Sequence, residues 1–181
     1  FAMYHSRVSD FNIVDATPFG QDPAAELAEA CARYGVKLCF YYSQDLDWHE
    51  ADGGGTAPGL PSNFGMSWGN DWDFPDHDAK DFSRFFEGKV KPQVTELLTQ
   101  YGPIGALWFD CPMTLSRAQS EELYALVRSL QPDCVMNSRL GNGLGDYQSL
   151  GDNLIPAAPL VGDWEVRSEE HTSELQSPNT I

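Results

Sequence analysis

A single aspartate at the end of an apolar run is the residue of this chain whose position most suggests chemistry. Residues 105–111 read GALWFDC, in which apolar residues suited to a buried strand lead directly into Asp110. A carboxylate that is buried without a partner costs several kcal/mol, so this position calls for a partner or a function. Trp108 precedes Asp110 by two residues and therefore points to the same side of the strand.

Arg139 is a candidate neighbour for this carboxylate, because it ends the next strand-like stretch. A carboxylate, an aromatic wall and an arginine together suit a sugar, since the ring covers the apolar face and the charged groups bond the hydroxyls. Glycosidases use one carboxylate as nucleophile and a second as acid/base. The alternative is that Asp110 only caps the turn after the strand, and spacing alone leaves both interpretations open.

The elements that must position these residues alternate between helix and strand. A helix over 22–34 is expected to begin at Asp22 and to end at Gly35. Its apolar face is expected to carry Leu27, Ala30, Cys31 and Tyr34. After it the sequence predicts a strand over 36–42, a helix over 78–102 that Pro92 kinks or restarts, a strand over 105–111, a helix over 116–132, a strand over 134–139, and then loop.

This alternation is typical of an α/β fold with a parallel sheet and crossover helices. No glycine-rich phosphate-binding turn follows a strand, which argues against a doubly wound nucleotide-binding fold. Polar and aromatic residues follow each strand instead, as in barrels whose catalytic groups sit at the carboxyl ends of the strands. We therefore predict a partial (β/α)8 TIM-like barrel of about three strand–helix units, because a complete barrel takes about 250 residues.

Composition excludes several classes of partner and cofactor. The net charge of -16 argues against nucleic acid and anionic membranes, which require basic surfaces. The four cysteines form no CxxC pair, and the histidines His5, His49 and His77 match no zinc spacing, so we expect no metal and no cofactor. His49 follows the first strand and is a candidate pocket wall or substrate donor, with loop packing as the alternative.

The last residues of the chain differ in character from the rest. Residues 167–177 read RSEEHTSELQS, which matches the in-frame translation of a common sequencing adapter. We therefore expect residues 1–166 to be a fragment of a catalytic (β/α)8 barrel, and residues 167–181 to be a non-native, disordered tail.

Three stretches closely resemble the alpha-L-fucosidases of glycoside hydrolase family 29. They are the segment from Phe1 to His49, YGPIGALWFD at 101–110, and NSRLGNGLGDY at 137–147. The resemblance implies a retaining hydrolase on a (β/α)8-like barrel, with Asp110 as nucleophile. It further implies that Trp108, Arg139 and a tyrosine, either Tyr41 or Tyr42, line the fucose pocket.

The resemblance leaves the acid/base open, because the family varies at that position. Asp146, Asp152 and Glu165 are the candidates downstream of Asp110, with Asp152 preferred and Glu165 next. The alternatives are a sugar-binding pseudoenzyme that lacks an acid/base, and a barrel glycosidase for a related deoxy-sugar. The expected partner is a fucosylated oligosaccharide or glycoconjugate.

The resemblance also carries an expectation about the extent of the chain. The family's histidine-rich strand end would precede Phe1, so this fragment alone is expected to be inactive. Oligomeric state stays open, and the resemblance implies a secreted, periplasmic or lysosomal setting.

Overall fold

A parallel sheet of three strands forms the centre of the fold. The computed structural model describes residues 1–53, 70, 72–154 and 156–167. The strands β1 (Leu38–Ser43), β2 (Ile104–Asp110) and β3 (Val135–Met136) pair in that order, and both pairings are parallel. The predicted α/β alternation of parallel strands with crossover helices is confirmed for these elements.

The first helix, α1 (Pro23–Tyr34), begins and ends where its capping residues predict. The side chain of Asp22 accepts hydrogen bonds from two main-chain N–H groups of the first turn, and Gly35 closes the helix in the left-handed conformation at φ 66°. These contacts are local, which is why the sequence was sufficient to predict both ends.

The predicted apolar face of α1 is wrong in part. Leu27 and Tyr34 are 55% and 75% exposed. Cys31 packs against the core as predicted, together with the small side chains of Ala24 and Ala28, which were not predicted. Several apolar stripes are compatible with a short alanine-rich helix, and only packing decides which of them is buried.

The crossover from β1 to β2 is one bent helical segment rather than two separate helices. It consists of α2 (Phe82–Phe85), a π-helical turn (Phe86–Val90) and α3 (Lys91–Gln100). Pro92 does not break it, because the residue falls in the first turn of α3, where no N–H donor is required. The buried face supplies much of the hydrophobic core, through Phe85, Phe86, Val90, Val94, Leu97 and Leu98.

The crossover from β2 to β3 is the helix α4 (Arg117–Leu130), which starts with a capping box between Ser116 and Gln119. The strand after it is shorter than predicted. Its ladder stops at Met136, and residues 138–140 form a 3-10 turn that includes Arg139.

A second, two-stranded parallel sheet forms in the region predicted as loop and just beyond it. It consists of β4 (Gln148–Ser149) and β5 (Trp164–Glu165).

The two faces of the central sheet have different environments. Leu107 and Phe109 on β2 are fully buried within the hydrophobic core. Trp108 and Asp110 alternate with them and face the opposite side. Of the predicted tail, only Arg167 lies within the described residues. No helix in the described part of the chain is both long and apolar enough to cross a membrane.

Candidate active site

Asp110 is the last residue of β2, and its buried carboxylate is held by residues from both neighbouring strand ends. The side-chain hydroxyl of Tyr41 donates to Oδ2 at 2.7 Å, and Nη1 of Arg139 donates to Oδ1 at 2.9 Å. The residue is only 7% exposed. The main-chain N–H of Cys111 also donates to Oδ1, at 3.0 Å. The carboxylate therefore caps the turn after the strand and, in addition, has the charged partner that a functional carboxylate needs.

The structure separates the two candidate tyrosines. Register pairs Tyr41 with Trp108 across the β1–β2 ladder, so both side chains lie on the face that carries Asp110. Tyr42 lies on the other face, where its hydroxyl donates to the side chain of Gln93 at 2.9 Å. Burial, followed by the hydrogen bond to Asp110, raises the pKa of Tyr41, so the phenol stays protonated at neutral pH and acts as a donor.

Arg139 joins the carboxylate of Asp110 to a second one. Its Nη2 lies 2.5 Å from Oδ1 of Asp152 and also donates to the main-chain oxygen of Leu150 at 2.7 Å. Although partial burial opposes its charge, the hydrogen bonds to Asp152 and Asp110 raise the pKa of Arg139. The guanidinium is therefore a permanent cation between two acidic side chains.

Trp108 forms an aromatic platform beside this ion pair. The ring of Tyr41 stacks on it with centroids 5.4 Å apart and an interplanar angle of 25°. The guanidinium carbons of Arg139 and Arg167 lie 4.9 and 5.9 Å from the centroid of the indole. A small cavity of about 270 Å³ lies at this platform, lined by Tyr41, Trp108, Glu165 and Arg167.

The three acidic residues considered for the acid/base occupy different environments. Asp152 lies at the ion pair with a side chain that is 41% exposed, and it also pairs with Arg167 at 3.1 Å. Glu165, on β5, accepts a hydrogen bond from the indole nitrogen of Trp108 and so borders the platform rather than Asp110.

Asp146 is turned away from the site and toward α4. It accepts hydrogen bonds from the Met136 N–H and from Arg128. Although burial opposes ionisation, these hydrogen bonds lower the pKa of Asp146. Its role is to tie the loop after β3 to the helix.

His49 and Tyr42 are not brought to Asp110. The imidazole of His49 stacks on Phe11 with centroids 4.1 Å apart and borders Trp48. Tyr42 lines a larger, mostly apolar cavity of about 490 Å³ between the first residues of the chain, α1 and the bent helix. The structure thus favours the packing interpretation of His49, and it divides the predicted substrate residues between two regions.

Two buried amides next to Asp110 were missed by the sequence-based reasoning. Gln44 and Asn137 are fully buried and bond the main chain on either side of the carboxylate. The available signal was position, because Gln44 lies two residues after the predicted strand over 36–42 and Asn137 is a polar residue within the last half of the predicted strand over 134–139. Among the described residues, no three His, Cys, Asp or Glu side chains are grouped as metal ligands.

Comparison with known proteins places most of the chain in one family. The sequence profile described as alpha-L-fucosidase matches residues 1–172. A comparison with curated proteins found no match.

Solved structures give close matches. Alpha-L-fucosidase AlfC from Lactobacillus casei in complex with the alpha-L-fucose product is 53% identical, with a TM-score of 0.82 over 92% of this chain and 51% of that one. An AlfC mutant in complex with 4-nitrophenyl-a-L-fucopyranoside is 54% identical, with a TM-score of 0.80 over 86% of this chain and 48% of that one. The alpha-L-fucosidase from Vibrio sp. strain EJY3 is 35% identical, with a TM-score of 0.79 over 93% of this chain and 29% of that one. The chain spans about half the length of the AlfC structures it matches.

Proposed function

The chain belongs to the alpha-L-fucosidase family, and on that premise we propose that it carries part of the active site of a retaining glycosidase that removes alpha-L-fucose from glycans or glycoconjugates. The observation that carries the proposal is the buried carboxylate of Asp110 at the end of β2, bonded by Tyr41 and Arg139. The substrate class is supported by AlfC, which has been solved with Fuca(1,6)GlcNAc and with an aryl fucoside.

In this proposal Asp110 is the nucleophile. Its carboxylate attacks the anomeric carbon of fucose, the bond to the leaving oxygen breaks, and that oxygen takes a proton from the acid/base. Water then attacks the glycosyl-enzyme, gives its proton to the same residue and releases fucose, which restores Asp110. Arg139 holds the nucleophile by a charged hydrogen bond before attack, and Trp108 offers an apolar surface for one face of the sugar.

We assign the acid/base role to Asp152 rather than Glu165. Asp110 and Asp152 are bonded to the two terminal nitrogens of one guanidinium, whereas Glu165 is bonded to the indole nitrogen of Trp108. A retaining mechanism needs two carboxyl groups on either side of the scissile bond. The pseudoenzyme is the second candidate, because the side chain of Asp152 is already engaged in an ion pair with Arg139.

The proposal extends to the fold and to the extent of the chain. Residues 1–166 are part of a (β/α)8 catalytic barrel, in which β1, β2 and β3 are consecutive strands whose carboxyl ends carry Tyr41, Asp110 and Arg139. Residues 167–181 are a non-native tail. Support comes from the parallel order of the strands and from the half-length coverage of the AlfC structures.

The test compares hydrolysis of 4-nitrophenyl alpha-L-fucopyranoside by the full-length protein and its Asp110→Asn variant. We expect kcat to fall by orders of magnitude while fucose still binds, since an amide cannot form the glycosyl ester. Asp133→Asn is the matched control, an exposed aspartate in the turn before β3. Labelling of another carboxylate by a fluorinated mechanism-based inhibitor would contradict the assignment of Asp110 as nucleophile.

A second experiment separates an enzyme from a pseudoenzyme. It measures whether azide restores activity to the Asp152→Ala variant.

A further inference from the structure

Two buried amide side chains bracket the strand end that presents Asp110. Gln44 follows β1 and Asn137 follows β3, and both are fully buried. Neither amide contacts the carboxylate of Asp110. Both act on the main chain around it, so we refer to Gln44 and Asn137 together as the amide clamp.

Gln44 connects the two residues of the central ion pair through their backbones. Its side-chain oxygen accepts the main-chain N–H of Asp110 at 3.0 Å, and its side-chain nitrogen donates to the main-chain oxygen of Arg139 at 2.8 Å. Because β1 and β3 are not neighbours in the sheet, this side chain reaches across the end of β2. One amide therefore fixes the separation of the segments that carry the carboxylate and the guanidinium.

Asn137 continues the β2–β3 ladder beyond the point at which the strands stop pairing. The last paired residues are Leu107 and Met136. The Asn137 side chain then bonds both main-chain groups of Phe109, accepting its N–H and donating to its oxygen, each at 2.9 Å. An amide has the same donor and acceptor as a peptide group, so it replaces one rung of the ladder.

The main chain needs this support because it turns sharply immediately after Asp110. Cys111 has a φ of 58°, in the left-handed region that non-glycine residues rarely occupy. A strand end next to such a turn would be free to fray. Reacting groups must be held within about 0.5 Å and 10–20° of their productive geometry.

We propose that Gln44 is a positioning residue for the reaction, assisted by Asn137, which sets the placement of Asp110 relative to Arg139 through their main chains. This inference rests on the proposed function. Loss of the amide is expected to lower kcat by about 10²-fold, the effect of a misplacement of about 1 Å. KM is expected to change by less than about threefold, because Gln44 does not bond Trp108, which offers the apolar surface for the sugar in this proposal.

The test is the near-isosteric Gln44→Met variant of the full-length protein, compared with Gln131→Met. Gln131 bonds the main chain at the opposite end of the same strand, accepting the Ile104 N–H at 2.7 Å and donating to the oxygen of Leu98 at 2.6 Å. Both variants lose an amide that bridges β2 to another segment, and this amide is fully buried at Gln44 and partly buried at Gln131. Melting temperature and aryl-fucoside kinetics are measured for each.

The expected result is a similar loss of melting temperature in both variants, with a reduced kcat only in Gln44→Met. The positioning role would be overturned if kcat of Gln44→Met equalled that of wild type, or if kcat fell equally in Gln44→Met and Gln131→Met. Gln44→Glu is the second variant, in case the methionine variant does not fold. It keeps the acceptor for Asp110 and loses the donor to Arg139, so an intermediate kcat supports the proposal and an unchanged one refutes it. A wild-type protein that hydrolyses no aryl fucoside would instead refute the proposed function.

Discussion

Replacing Asp45 with asparagine should stabilise the folded chain at neutral pH. Asp45 is fully buried, and its Oδ2 accepts the main-chain N–H groups of Thr114 and Leu115. Its Oδ1 has no hydrogen-bond partner among the residues that the structure describes. Burial raises the pKa of Asp45 to about 6, against the smaller opposing effect of those N–H groups.

The sign and size of the effect follow from the difference in pKa between the two states. The unfolded side chain titrates near 3.8 and the folded one near 6, so the folded chain binds a proton more tightly between these values. Folding stability from this group is therefore complete below about pH 4 and is lost as pH rises through 6. At about 1.4 kcal/mol per pKa unit, the loss above pH 7 is on the order of 3 kcal/mol.

Urea unfolding followed by tryptophan fluorescence, at pH values from about 4 to 8, measures this difference. Asparagine keeps an acceptor for the Thr114 N–H and carries no charge, so its advantage over aspartate should grow across this range. Asp146→Asn is the control, because hydrogen bonds lower the pKa of Asp146 from 3.8, so its contribution is lost mainly below pH 4 and its difference from wild type should stay nearly constant across this range. A constant difference between wild type and Asp45→Asn across the range would refute the burial argument.

Three further predictions test the boundaries of the fold and the loop after β3. Deleting residues 167–181 should shift the melting temperature very little. The Arg167–Asp152 pair is exposed, and such ion pairs contribute about 0–1 kcal/mol to folding stability. A large loss of stability would count against the adapter origin. The 181-residue chain alone should show no aryl-fucoside turnover, since the proposed partial barrel would lack preorganised groups, and turnover equal to that of AlfC would disprove this. Gly145→Ala should destabilise by more than about 2 kcal/mol in thermal or urea unfolding, because φ is 136° and a Cβ would lie 2.7 Å from the main chain of Asn137. Gly143→Ala, whose added Cβ has nothing within 4 Å, should lose about half as much folding stability, from its φ alone. An equal loss of stability in the two variants would contradict the predicted clash at Gly145.

Local sequence was enough for the features whose causes are local. The ends of α1 follow from Asp22 and Gly35, and the start of α4 follows from Ser116 and Gln119, because capping groups bond main-chain atoms within a few residues. Apolar runs also located β1 and β2 to within about two residues. The placement of Asp110 at a strand end followed from the last of these runs.

Only the tertiary structure decided which side chains meet. A one-residue difference in position reverses the face of a strand, so the β1–β2 register assigns Tyr41 to Asp110 and Tyr42 to Gln93. Gln44 reaches Arg139 across 95 positions of sequence, a contact that no local pattern encodes. The sequence thus determined the elements and the nucleophile candidate, while packing between distant segments determined the site around it.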